Sequence, residues 1–181
     1  MDIVFAKSIR MERAPALDGR LFVVVSCSDG LEYQVKFNAE DNKSNHNEFI
    51  SNFVGHEIGA SVPDGKWVQF SKRQIDGLCE KFNLINTECF SKNLYFGVEW
   101  YDETYTPQCD EDVPYLLSVC KNKKSFFAVF PYDQFLRNHD RVFHNHMAIK
   151  KDGESKPSHY LSIDGDRIFG STRWDLSLIH I

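Results

Sequence analysis

Two periods of hydrophobic and polar positions run along this chain, and they change places several times. Leu31, Tyr33, Val35 and Phe37 alternate with Glu32, Gln34 and Lys36, the period of a strand with one buried face. Ahead of them Leu21 to Ser26 is a β-branched and apolar run, and Ser28-Asp29-Gly30 between the two is a turn signal. The pattern predicts an antiparallel hairpin, with residues 3–9 as a further strand before it and Arg10 to Arg20 as a loop. The spacing then lengthens to that of a helix. Asn45 reads as a cap with Glu48 as its capping-box partner, followed by Phe49, Ile50, Phe53, Val54 and Ile58, with Gly59 as the stop. A strand at Lys66 to Phe70, a helix at Ser71 to Phe82 and a strand at Leu94 to Trp100 complete the first half.

Asp102 to Asp112 is acidic and contains a proline, which makes it the expected boundary between an amino-terminal part of about 1–101 and a carboxy-terminal part of about 113–175. Helices are predicted at 113–120 and 125–137, the second kinked or split at Pro131. Short strands follow at Met147 to Lys150 and Tyr160 to Ile163, joined through Asp152-Gly153. The fold class predicted is therefore α+β. The last six residues, Leu176 to Ile181, read like the translated end of a sequencing-library adapter, so the natural frame is expected to depart near Asp175 and the carboxy-terminal part to be truncated.

Composition narrows the functional classes. The 181 residues are 42% hydrophobic and 26% charged, enough for a packed core. A net charge of -5 argues against direct nucleic-acid binding, which favours a basic face. Five cysteines, none in C-x-x-C spacing, suit reduced thiols in a cytoplasm better than a disulfide framework or a zinc site. No stretch approaches the roughly 18 apolar residues of a membrane helix.

The segment Asn138 to Asn145, N-H-D-R-V-F-H-N, carries the chemistry. Phosphoryl transfer needs a carboxylate near the acceptor hydroxyl and oxygen ligands that hold magnesium against the ATP phosphates. Asp140 with Asn145 supplies both from one loop, and Asp164, after the strand pair, is a second metal carboxylate. Upstream, Lys36 on a strand and Glu48 on the next helix suit a phosphate anchor and the acid that orients it. Each residue also has a plainer reading. Lys36 alone is also a solvated strand lysine, and Glu48 a helix cap. Asp140 is also an ion-pair partner of Arg137 or Arg141, and Asn145, Asp164 and Asp166 are also turn formers. His139, His144, His146 and His159 lack zinc-site spacing, and Trp67, Trp100 and Trp174 read as packing residues.

From Leu21 to Trp174 the chain resembles the HipA-like kinase family, through S-D-G, Y-Q-V-K-F, H-N-E-F-I, I-G-A-S-V-P, N-H-D-R-V-F-H-N, Y-L-S-I-D-G and I-F-G-S-T-R-W. The resemblance implies a two-lobed protein-kinase-like fold, with an antiparallel amino-terminal sheet, one main helix and a smaller, mostly helical carboxy-terminal lobe. It implies that Lys36 contacts ATP and pairs with Glu48, that Asp140 is the catalytic acid/base, and that Asn145 and Asp164 bind Mg2+. Asn138 and Arg141 would be structural members of the catalytic loop. The acceptor implied is a hydroxyl, in the manner of the family's bacterial protein Ser/Thr kinases; its identity is unknown.

The chain departs from the family at Val142 and His144, at Gly165 directly after Asp164, and at Asp166. The loop Arg10 to Arg20 holds only Gly19 where protein kinases place a Gly-rich phosphate cover. That sparse loop keeps a second reading in view, a nucleotide-binding pseudokinase or regulatory module without turnover.

Overall fold

The structure, a computed structural model, describes residues 2–13, 20–38, 43–82, 93–138, 141–151, 153–165 and 168. Asp140, Asp152, Asp166, Gly19, Cys89, Trp174 and the tail 176–181 lie outside the described residues. The chain forms two compact units. One holds the residues up to Phe49 with Asp64–Trp100; the other holds Ile50–Pro63 with the residues from Tyr101 onward.

The first unit is a closed five-stranded barrel. In chain order it has β1 (Ile3–Arg13), β2 (Arg20–Cys27), β3 (Glu32–Asn38), β4 (Gly65–Gln69) and β5 (Leu94–Glu99). Around the barrel the order is β1-β2-β3-β5-β4. The expected antiparallel sheet of a two-lobed protein-kinase-like fold is thereby corrected, because the sheet closes and its pairing is mixed. The cause is the length and bending of β1, which runs on through Arg10–Arg13 where a loop is predicted. Ile3–Phe5 pair in parallel with Trp67–Gln69 of β4, while Ala6–Arg13 pair antiparallel with β2. Register shifts at Ala6/Ser8 and Ile9/Met11 interrupt that second ladder, and such bulges bend a strand enough for its two ends to serve different neighbours.

The alternation along β3 is seen as expected: Tyr33, Val35 and Phe37 are buried and point into the barrel. They meet Leu21, Val23 and Val25 of β2, Val68, Phe70 and Tyr95, and Ile75 and Leu78 of the helix α2 (Lys72–Lys81). Ser71 and Gln74 form a capping box that starts α2. The turn before β3 needs Gly30, whose φ of 88° lies in the left-handed region. Gly97 answers a different need. A Cβ there would come within 2.9 Å of a Val35 methyl and 3.1 Å of a Val68 methyl, so the strands could not approach as they do.

The helix α1 (Lys43–Glu57) forms where its spacing predicts, but it buries a different face. Phe49, Ile50 and Val54 pack, whereas Phe53 and Ile58 stay half exposed. Asn45, Asn47, Glu48, Ser51 and Asn52 are its buried polar positions. Apolar spacing located this helix; buried polar groups that find partners orient it.

The second unit has the helices α3 (Val113–Val119) and α4 (Lys124–Leu136) and a three-stranded antiparallel sheet, in the order β6 (Thr104–Tyr105), β7 (His146–Ile149), β8 (His159–Ser162). The expectation of a mostly helical part is corrected by this sheet. Its third strand arises inside the acidic loop, where Thr104 and Tyr105 pair with Ile149 and Ala148. The core is Leu116, Val129, Tyr132, Leu136, Ala148, Tyr160 and Ile168. Pro131 does not split α4, which continues as one helix of 13 residues. The carbonyl that loses its partner belongs to Phe127, a residue 66% exposed and so within reach of solvent. Glu154 gathers the β7–β8 connection, accepting from Lys121 Nζ, Ser158 Oγ, the Lys151 amide and His159 Nδ1. The Lys121 and Ser158 bonds lead in holding its carboxyl down to about 2.

Candidate functional site

In the barrel unit, Lys36 lies on the outward face of β3, opposite the buried row. Its Nζ donates to Glu48 Oε1 at 3.2 Å, and the two side chains are 13% and 8% exposed. A charge pair this far from water persists only when each member has a partner. Glu48 therefore spends its carboxylate on Lys36 and not on a capping box. The predicted cap at Asn45 is corrected as well. Helix α1 already begins at Lys43, and Asn45 turns its amide onto strand β5. There Asn45 Nδ2 donates to the Phe96 carbonyl at 3.0 Å, and the Phe96 amide donates to Asn45 Oδ1 at 2.7 Å.

In the second unit, the loop after α4 is organised by Asp133, the residue that sequence reasoning missed. Arg141 Nε and Nη2 donate to its two carboxylate oxygens at 2.9 and 2.8 Å, a fork-on-fork pair with both side chains 12% exposed. Burial pulls the Arg141 guanidinium down, but the Asp133 carboxylate outweighs it and the net shift is upward. Asn138 Nδ2 donates to the same carboxylate at 3.1 Å, and its amide to the Asp133 carbonyl at 2.9 Å. Arg137, at φ 53°, ends α4 in the left-handed conformation and turns the chain into this loop.

Arg141 also reaches forward. Its Nη1 donates to the carbonyls of Asn145, at 3.5 Å, and Ile163. The Ile163 amide donates to the Asn145 carbonyl at 3.0 Å. The chain at Asn145 and the chain entering Asp164 are thus laid side by side and held by one guanidinium. Asn145 is 1% exposed. Asp164 sits at φ 65°, a left-handed conformation that Asp tolerates better than most residues. Gly165 then packs on α1, where a Cβ would run into the Ser51 side chain and stand 3.7 Å from the Tyr132 hydroxyl. The Tyr132 hydroxyl donates to the Ser51 carbonyl at 2.8 Å, and it also bonds Ser51 Oγ. The glycine at 165 thus has a local cause: there is no room there for a side chain.

His146 is buried against Tyr160, sharing a 2.7 Å hydrogen bond through Nδ1, with the Phe126 ring beside it. Burial first, and then the Arg141 charge, pushes its pKa down to about 4, so it is a neutral core histidine at neutral pH.

Of the residues singled out from the sequence, Lys36 and Glu48 meet directly. Asn145 and Asp164 come together through the Asn145–Ile163 pairing, with Arg141 and Asn138 supporting the same loop. The first pair belongs to the barrel unit and the others to the second unit. An amide oxygen and a carboxylate are hard oxygen donors, the kind magnesium prefers, so the residues present at 145 and 164 fit that ion chemically. Among the described residues, no three His, Cys, Asp or Glu side chains converge as a metal cage. No helix of the described residues is long and apolar enough to cross a membrane.

Asp133 carries no recognisable spacing, because it stands in a mostly apolar helix eight positions before its partner Arg141. An acid within that mostly apolar helix is the one available signal.

No family model matches the chain, and no curated protein sequence does. Among solved structures the fold is similar to that of the Helicobacter pylori proinflammatory kinase CtkA, at a TM-score of 0.62 and 13% identity, over 93% of this chain. The chain spans 61% of the length of that kinase. At this identity the likeness is one of fold alone.

Proposed function

We propose that this chain is part of an ATP- and Mg2+-dependent kinase akin to the HipA-like family, transferring a phosphoryl group to a hydroxyl acceptor of the protein Ser/Thr class. The observation that carries the reading is the buried Lys36–Glu48 pair, a lysine on a barrel strand oriented by an acid on the following helix. The likeness in fold to a kinase supports it from outside the site.

On this reading Lys36 holds the α and β phosphates and Glu48 fixes the direction of its ammonium group. Asp140, assigned from its place in N-H-D-R, takes the proton of the acceptor hydroxyl as that oxygen bonds to phosphorus and the ADP oxygen departs. Asn145 and Asp164 are the residues that would hold magnesium, which when bound neutralises charge on the phosphate oxygens. Arg141 and Asp133 keep the loop that bears these groups in one geometry, work that must be complete before substrate arrives if binding is to be productive.

The test is calorimetry with Mg-ATP together with transfer of labelled phosphate to the chain itself or to lysate proteins. Asp140→Asn should abolish transfer and leave nucleotide binding, while Lys36→Met and Asp164→Asn should weaken binding. Binding without transfer in the unaltered chain would leave a nucleotide-binding module. If the chain neither binds Mg-ATP nor transfers phosphate, the proposal fails.

A further inference from the structure

The ladder between β3 and β5 stops early. Tyr33, Gln34 and Val35 pair with Glu99, Val98 and Gly97, and beyond them the Trp100 amide donates to the Glu32 carbonyl at 2.8 Å. The next rung would be Lys36 with Phe96. Both strands continue past it, β3 to Asn38 and β5 back to Leu94, but Val35–Gly97 is the last pair of the ladder. There the Phe96 backbone takes the Asn45 side chain, donating at 2.7 Å and accepting at 3.0 Å. Asn45 is 7% exposed, so neither Phe96 group has water to fall back on. A primary amide is the side chain that reproduces both halves of a strand rung, one donor and one acceptor. Asp lacks the donor, and Ser does not span the same distance. Asn45 stands three residues before Glu48 on α1, and such residues share one face of a helix.

We propose that Asn45 is a positioning residue: its amide clasps the Phe96 backbone where the β3–β5 ladder ends, fastens α1 to β5 there, and so sets Glu48 against Lys36. The end of the ladder and the ion pair are then one device. Lys36 stays paired with Phe22 of β2, and the helix that carries its acid is attached at Phe96, opposite it. The consequence for phosphate anchoring rests on the kinase reading; the positioning itself does not.

Amine acetylation of the full chain with acetic anhydride, read residue by residue by mass spectrometry, tests it. Lys72, 87% exposed on α2, is the internal reference. Asn45→Ala should raise Lys36 labelling relative to Lys72 by roughly tenfold, as expected for loss of one charge-assisted hydrogen bond. Glu48→Gln should do the same, and the double variant should label no faster than Glu48→Gln alone, because Asn45 acts through Glu48. Asn45→Asp, which keeps the volume and the acceptor, should fall between Asn45→Ala and the unaltered chain. Unchanged Lys36 labelling in folded Asn45→Ala, or labelling that adds in the double variant, would overturn the proposal. So would unfolding of both Asn45 variants under conditions where Glu48→Gln stays folded, since Asn45 would then be a determinant of the fold. Calorimetry with Mg-ATP on the same variants separates the two readings. If the unaltered chain binds no nucleotide, the kinase reading falls while the labelling still decides the role of Asn45.

Discussion

The two units of this chain hold themselves together by different chemistry. The barrel is filled by aliphatic and aromatic side chains from every strand, and its buried polar groups, Lys36, Glu48 and Asn45 among them, lie outside the barrel wall. The second unit has an apolar core too, but its loops are held by buried polar groups, with Asp133, Asn138 and Arg141 at their centre. Apolar packing loses stability in proportion to the volume removed. A buried polar network loses most when one partner goes and the other stays behind in a dry place.

The sharpest way to break the contrast is Asp133→Ala. It leaves the Arg141 guanidinium buried without its carboxylate and should cost about 3–5 kcal/mol in denaturant unfolding. Replacing both, as Asp133→Leu with Arg141→Met, should recover much of that loss; a double variant as unstable as Asp133→Ala would show that the network is not the cause. Leu21→Ala, a deletion from the dry barrel interior, should cost about 2–5 kcal/mol, with no partner substitution able to restore it except one that refills the space.

A titration probes the second unit without mutation. The depressed pKa of His146, about 4 against 6.5, means that the unfolded chain takes up its proton first. Its contribution is therefore complete above 6.5, falls as pH drops through that value, and is gone below about 4; the whole span is worth on the order of 3 kcal/mol. Tyr160, Arg141 and Asp133 face it; Tyr160 and Arg141, both pushed upward, keep their charge state in that window. His146→Gln should flatten the stability profile between pH 6.5 and 4. A profile that keeps its slope would assign the effect elsewhere. Glu154, held near 2, contributes stability that is complete above 4.5 and is lost only as pH falls below it, so the two windows barely overlap.

Gly97→Ala should cost about 1–3 kcal/mol, because the added carbon meets two valine methyls inside a barrel that has no room to yield. The smallest effect belongs to Lys72→Met on the exposed face of α2. Its pair with Asp76 lies in water, and the change should stay within about 0.5 kcal/mol.

The same contrast decides what the sequence could reveal. Periodic apolar residues marked β2, β3, α2 and β5 plainly, because each of those elements buries one face and the period reports it. Barrel closure left no such mark. Parallel pairing of Ile3–Phe5 with β4 joins segments some sixty residues apart, and nothing local distinguishes a strand that bends from one that stops. In α1 the period identified the helix and misled about its face, since Asn45, Glu48 and Ser51 are buried through partners on other elements. Lys36 and Glu48 could be paired from their order along the chain. Asp133 could not be paired with Arg141, nor Asn45 with Phe96, because such contacts are written in three dimensions and carry no spacing rule.

The seam made by Ile3–Phe5 has a practical side. A barrel has no edges, so its strands offer no backbone to a neighbouring molecule. Removing those three residues would uncover the flank of Trp67–Gln69. The short segment at the front of the chain therefore acts as a guard against self-association, and a shortened form should precipitate or grow strand by strand long before it loses its helices.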